Sequence, residues 1–217
     1  MRTNLQVRRI SREAKVKIAA TMIAALIGMF AGSQAHAQSS GGYLGISGGA
    51  VWTDAASSVA GFAGGVHDES IPNGFKVYGG RIRDRFGIEF AYYYLGEYEI
   101  EDGAGVVQDA LETRALAVSG VYSAPIAPGY AFIGKLGIAF TEAQYDCRLN
   151  CGPPFFVDTR RRGNAGLIGL GITSQIAGNV ALRMEFEHIG NVRHGISNAI
   201  RFNDGYDMLS VGLHVNF

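Results

Sequence analysis

The sequence is dominated by segments in which apolar residues alternate with small, polar or charged ones. The clearest is "VALRMEFEHIG" (180–190), where four apolar residues share one parity and three charged residues share the other: Val180, Leu182, Met184 and Phe186 against Arg183, Glu185 and Glu187. The final run, "LSVGLHVNF" (209–217), alternates in the same way and ends on Phe217. A period of two is that of a β-strand with two different faces. The pattern therefore predicts an all-β protein.

The spacing of the alternating segments narrows the fold class further. Eight strands are predicted, at 43–52, 74–83, 86–96, 112–123, 130–142, 164–175, 180–190 and 207–217. The gaps between them alternate long and short, as they do in outer-membrane barrels with external loops and short periplasmic turns. Each strand has about the ~9–11 residues that a tilted span needs, and closure leaves no unpaired edge in lipid. We predict an eight-stranded antiparallel up-and-down transmembrane β-barrel over residues 38–217.

The first 37 residues have a different character. Basic residues up to Lys17 are followed by the uncharged run "IAATMIAALIGMFA" (18–31) and by Ala35 and Ala37 in an A-x-A arrangement. This order predicts a signal peptide over 1–37, with Gln38 as the first mature residue. The apolar run is shorter than the ~20 residues of a membrane-spanning helix, which argues against an anchor. The remaining sequence is slightly acidic, and no basic patch predicts a nucleic-acid partner.

The inward parity of the predicted strands carries small residues and a few charged ones. An eight-stranded barrel is barely wide enough for side chains, and buried charges need partners. We therefore predict an internal ion-pair network that plugs the lumen, formed by Glu89, Lys135, Arg183 and Glu185. We predict no cofactor.

The predicted external loop at 143–163 contains two further features. Cys147 and Cys151 are an even pair in an exported chain, which predicts a disulfide; a metal site would need more ligands nearby. The basic run Arg160, Arg161 and Arg162 has two interpretations. It could pair with lipopolysaccharide phosphates, or it could be a solvated run balanced by neighbouring acids.

Taken together and in order, these segments resemble the OmpA-type small outer-membrane barrels, the porin family of Gram-negative bacteria. The resemblance rests on segments such as "YLGISGG" (43–49), "FKVYGGRI" (75–82), "FGIEFAYYYLGE" (86–97) and "DMLSVGLHVNF" (207–217). It implies a monomer in the outer membrane, in contact with lipid and lipopolysaccharide. It also implies that the insertion machinery reads the C-terminal strand ending in Phe217.

Three functions fit such a barrel. The favoured hypothesis is a non-enzymatic protein with an envelope-structural role or a surface-loop role such as adhesion; the first alternative is a narrow, porin-like solute pore.

The second alternative is an enzyme. Some barrels of this size are lipid A deacylases, with a His-x-Ser-Asn stretch on a late strand and an acid after it. Here Gly190 replaces the serine after His188, and Ser197 lies three residues after His194, with Asp207 as the candidate acid. Because a serine nucleophile needs a base within reach, the broken spacing predicts no catalytic residues.

Overall fold

The computed structural model describes residues 41–53, 66–67, 73–101, 107–147, 159–194 and 202–217. Its strands are β1 (Gly41–Thr53), β2 (Val66–His67), β3 (Asn73–Arg83), β4 (Phe86–Glu101), β5 (Val107–Ala127), β6 (Tyr130–Cys147), β7 (Thr159–Ala177), β8 (Val180–His194) and β9 (Phe202–Asn216). Among these residues there is no helix of the length and hydrophobicity that crossing a membrane requires.

The eight long strands form a closed antiparallel barrel, as predicted. Strands that follow one another along the chain are paired, and β1 pairs with both β3 and β9, which closes the wall. The two-residue strand β2 lies outside this circuit and pairs with the extracellular end of β4. Closure satisfies the backbone groups that an open edge would leave unpaired in lipid.

The register fixes how strongly the strands tilt. Following directly opposed cross-strand partners once around the wall from Gly41, through Ile82 on β3 and Met208 on β9, leads back to β1 at Val51. The wall is therefore staggered by ten residues per circuit (51 − 41 = 10). A stagger of ten over eight strands corresponds to a tilt of roughly 40° from the barrel axis.

Two of the three turns at the periplasmic end are shorter than the sequence predicted, and the turn between β3 and β4 has the predicted length of two residues. Two residues join each hairpin, at 84–85, 128–129 and 178–179. The turn residues Asp84, Gly129 and Gly178 have φ angles of 60°, 78° and 46°. Glycine adopts this left-handed region without steric cost, and aspartate tolerates it. The predicted gaps of six and four residues were too long because β5 and β7 stay paired up to Ala127 and Ala177.

The strands also extend further on the extracellular side than predicted. The predicted loop at 97–111 is strand over 97–101 and again over 107–111, and the predicted loop at 143–163 is strand up to Cys147 and again from Thr159. Arg160, Arg161 and Arg162 therefore lie on β7 and not in a loop. The predicted strands ended near the last outward apolar residues, but backbone pairing continues further into water because it does not depend on a lipid-facing side chain.

The two faces of the wall have the expected parity. Large apolar side chains on the outer face are exposed, as at Phe90, Leu136 and Phe186, and their neighbours Glu89, Lys135 and Glu185 are buried inside. Apolar side chains outside and charged side chains inside are the reverse of the arrangement in a soluble protein and are typical of a membrane barrel.

Candidate functional site: the filled interior and the outer polar rows

Six charged side chains lie together in the barrel interior. They are three cations and three carboxylates: Lys76, Lys135, Arg183, Glu89, Glu185 and Glu187. All six are at most 4% exposed. The cluster is formally neutral, which is the composition that burial of charges requires.

The ion pairs join strands that are not neighbours in the wall. Lys135 on β6 lies 3.0 Å from Glu89 on β4 and 2.9 Å from Glu185 on β8, and it also contacts Glu187. Lys76 on β3 lies 2.6 Å from Glu187 and also contacts Glu185. The six side chains therefore form one connected network across the lumen.

Arg183 and the surrounding tyrosines complete this network. Arg183 lies 2.7 Å from Glu89 and 2.8 Å from Glu185. Tyr43 donates a 2.8 Å hydrogen bond to Glu89, and Tyr93 donates a 2.7 Å bond to Glu187. The guanidinium carbon of Arg183 lies 4.6 Å from the centre of the Tyr78 ring, which adds a cation–π contact.

A second, apolar layer fills the interior on the extracellular side of the charges. Along β8, the inward residues change from Arg183, Glu185 and Glu187 to Ile189 and Val192. Other strands follow the same order, and the layer includes Val51, Leu95, Tyr98, Leu111, Leu167, Tyr206 and Met208. Within it, the hydroxyls of Thr113 and Tyr206 lie 2.8 Å apart and satisfy each other. The interior is therefore layered, with charges toward the periplasm and a packed core above them.

The space on the periplasmic side of the charges is small. A cavity of about 40 Å³ is lined by residues that include Gln175, Arg183 and His214. A water needs roughly 10–15 Å³ of such space, so this cavity holds only a few water molecules.

Polar residues on the outer face form rows above the apolar band. Arg162 and Arg160 project outward from β7, while Arg161 has the opposite parity. Arg162 lies 2.5 Å from Glu142 on β6 and Arg160 lies 3.5 Å from it. The hydrogen bond from Arg162 lowers the pKa of Glu142. The run is thus paired in part with an acid, while Arg160 and Arg162 stay exposed.

The deacylase-like residues are only partly brought together. His188 and Asp207 are cross-strand partners on the outer face, with Nδ1 and Oδ1 2.8 Å apart and side chains 46% and 43% exposed. The residue two positions after His188 is Gly190, which has no hydroxyl. The second candidate nucleophile, Ser197, lies outside the described residues. Among the residues that the structure describes, the arrangement has the base and acid of a triad without a nucleophile on the same face.

The proposed disulfide also falls outside what the structure describes, because Cys151 is in 148–158. The pairing of Cys147 with Cys151 stays a prediction.

Sequence reasoning did not include two members of the interior network. Lys76 alternates with the outward residues Phe75 and Val77, and Glu187 shares the parity of Glu185. Parity alone could have found both.

The family profile of the OmpA-like transmembrane domain matches residues 37–217. The chain belongs to this family. No curated protein sequence matches the chain. Membership in the OmpA-like transmembrane domain family places the protein in the bacterial outer membrane, in agreement with the closed barrel and its apolar outer face.

Solved structures share the fold of this OmpA-like domain at low sequence identity. Neisserial surface protein A has a TM-score of 0.55 and 13% identity, over 81% of this chain and 97% of that one. The outer-membrane protein OprG from Pseudomonas aeruginosa has a TM-score of 0.55 and 11% identity, over 86% and 99%. AlkL, solved by solid-state NMR in lipid bilayers, has a TM-score of 0.50 and 8% identity, over 86% and 94%. At these identities the likeness shows the fold alone.

Proposed function

We propose that this protein is a non-enzymatic outer-membrane barrel with a closed lumen and an envelope-structural or surface-display role. The observation that carries the proposal is the layered interior. Six mutually paired charges span the lumen, and an apolar core packs above them. Ions would have to break buried pairs and then cross a packed hydrophobic layer, which disfavours the alternative of a narrow solute pore.

Single-channel recording tests the closed lumen. Refolded protein inserted into planar bilayers is expected to give no steady conductance, while a larger porin added to the same bilayer conducts. Insertion is verified by recovering folded protein from the bilayer material. Large, steady currents from the wild-type protein would overturn the proposal in favour of the pore.

The partner we propose is lipopolysaccharide in the outer leaflet. Arg160 and Arg162 support this because both are exposed on the outer face, above the apolar band, at 55% and 74% of their side chains. Guanidinium groups bind phosphate through two parallel hydrogen bonds. We further propose a monomer whose terminal strand, with Phe217 exposed at the rim, is read during insertion.

The same proposal excludes lipid A deacylation. The pair of His188 and Asp207 lacks a hydroxyl at Gly190, so no acyl-enzyme can form there. Refolded protein incubated with lipid A in detergent is expected to leave the lipid mass unchanged. Loss of an acyl chain that is abolished by Ser197→Ala would show instead that the 195–201 segment supplies a nucleophile.

A further inference from the structure

One part of the lipid-facing surface is concave. A groove of about 440 Å³ runs over the outer side of β1, β3, β4, β5 and β6, and its lining is almost entirely apolar. Residues that line it include Val77, Gly79, Phe90, Leu116, Val118 and Phe140. Leu116 and Phe140 are paired across β5 and β6 at its extracellular end.

A row of polar residues lies directly above this end of the groove. It is on the same outer face, two residues closer to the extracellular side on each strand. Its members are cross-strand partners on β4, β5, β6 and β7, in that order: Tyr94, Arg114, Glu142 and Arg162. We call these four residues the lower row; they include two cations and one carboxylate. Arg114 and Arg162 are two strands apart, so their backbones are separated by roughly 10 Å.

The next row up has the opposite charge. Its members, from β4 to β7, are Glu97, Glu112, Gln144 and Arg160. The surface is therefore net positive immediately above the groove and net negative beyond it. An anionic group attached to an apolar chain in the groove would meet the positive row first.

We propose that this wall of the barrel binds one lipid A molecule, with an acyl chain in the groove and a phosphate between Arg114 and Arg162. The proposal rests on the lipopolysaccharide contact proposed above and gives it a defined site. The site differs from that contact in two ways. It includes Arg114, and it places the phosphate on the lower row instead of along the consecutive arginines of β7.

The side-chain geometry suits this role. Arg114 contacts Glu112 through Nε at 2.5 Å, and Arg162 contacts Glu142 through Nε at 2.5 Å. Each carboxylate holds its guanidinium in place while leaving 53% and 74% of the arginine side chains exposed. Arginine held in this way is prepared to bind phosphate with its terminal nitrogens.

Glycine makes room for the acyl chain. A Cβ at Gly79 would lie 3.2 Å from the Leu44 side chain and would project into the groove. Gly134 also faces outward, but on β6 outside the groove, where a Cβ would meet only the Phe132 ring at 3.6 Å. Gly79→Leu and Gly134→Leu are therefore matched variants that add the same side chain inside and outside the groove.

Native mass spectrometry of the refolded protein tests the site. The probes are bisphosphorylated lipid A, lipid A with its phosphates removed, and phosphatidylglycerol. We expect one lipid A to bind, with binding weakened by about tenfold or more in Arg114→Ala/Arg162→Ala through loss of charge-assisted hydrogen bonds. Arg81→Ala, an exposed arginine at the periplasmic end of β3, is expected to change nothing. Gly79→Leu weakens binding and Gly134→Leu does not.

Two further results separate this site from a general attraction to the membrane. Glu142→Gln makes the lower row more positive and keeps an amide oxygen that can accept the hydrogen bond from Arg162. It is therefore expected to tighten binding of bisphosphorylated lipid A but not of the dephosphorylated form. Phosphatidylglycerol binding equal to that of lipid A would overturn the lipid A assignment. Weakening by Arg160→Ala without any effect of Arg114→Ala/Arg162→Ala or Gly79→Leu would keep a lipopolysaccharide contact but overturn this site. Single-channel conductance recorded on the same samples tests the closed lumen separately from lipid binding.

Discussion

Nη1 of Arg183 lies 2.7 Å from Oε2 of Glu89, and this ion pair joins opposite walls of the barrel. Arg183 is on β8 and Glu89 is on β4, and four strand-to-strand steps separate these strands in either direction around the wall. Both side chains are buried, so the pair acts as a strut across the lumen where water cannot replace either partner.

Removing this strut is expected to destabilise the barrel strongly. Arg183→Met leaves Glu89 and Glu185 short of a cation in a buried site, and breaking such a pair costs about 3–5 kcal/mol. Urea unfolding in detergent micelles measures the loss. Arg81→Met, at an exposed position, serves as the control and should change the free energy of unfolding by less than about 0.5 kcal/mol. Equal effects of the two variants would mean that the network is not a structural element.

The loss of stability caused by a charged side chain on the lipid-facing surface should depend on how deep in the membrane the residue lies. Leu136 on β6 and Ile126 near the periplasmic end of β5 are similar exposed aliphatic residues, at 72% and 61%. Leu136→Arg is expected to cost ~2–4 kcal/mol because the charge enters the apolar band, and Ile126→Arg about 0–1 kcal/mol at the interface. Refolding into lipid vesicles followed by denaturant titration compares them. A larger cost at Ile126 would contradict the assignment of the membrane band.

The cysteines are expected to form a disulfide in the mature protein. Oxidation of Cys147 and Cys151 closes a very small ring, so it should order the local segment and add little to global stability. Mass spectrometry of the unreduced peptide measures the loss of two hydrogens, which Cys151→Ser should abolish. Two free thiols in protein isolated from the outer membrane would contradict the prediction.

Cleavage of the leader is a further expectation. The intact mass of protein recovered from outer membranes should correspond to a chain that starts at Gln38, because Ala35 and Ala37 meet the small-residue requirement of the cut. Ala37→Arg should block processing, whereas the same change at Gln34 should be tolerated. A mature chain that still contains 18–31 would show an anchor instead.

The sequence determined the fold class and the faces. Strict alternation assigned Phe186 to lipid and Glu185 to the lumen before any contact was known, because side chains on a strand must alternate. The same parity placed Glu89, Lys135, Arg183 and Glu185 inside. It also covered Lys76 and Glu187, although the predicted network left them out.

Strand ends and contacts between distant strands required the tertiary structure. The alternation that marks a strand fades above the membrane, so the sequence placed Arg160 in a loop although β6 and β7 are paired there. The partners of each interior charge, the apolar layer above them and the outward row from Arg114 to Arg162 depend on the stagger of ten residues around the barrel. That stagger is set jointly by all eight ladders, and no single segment contains it.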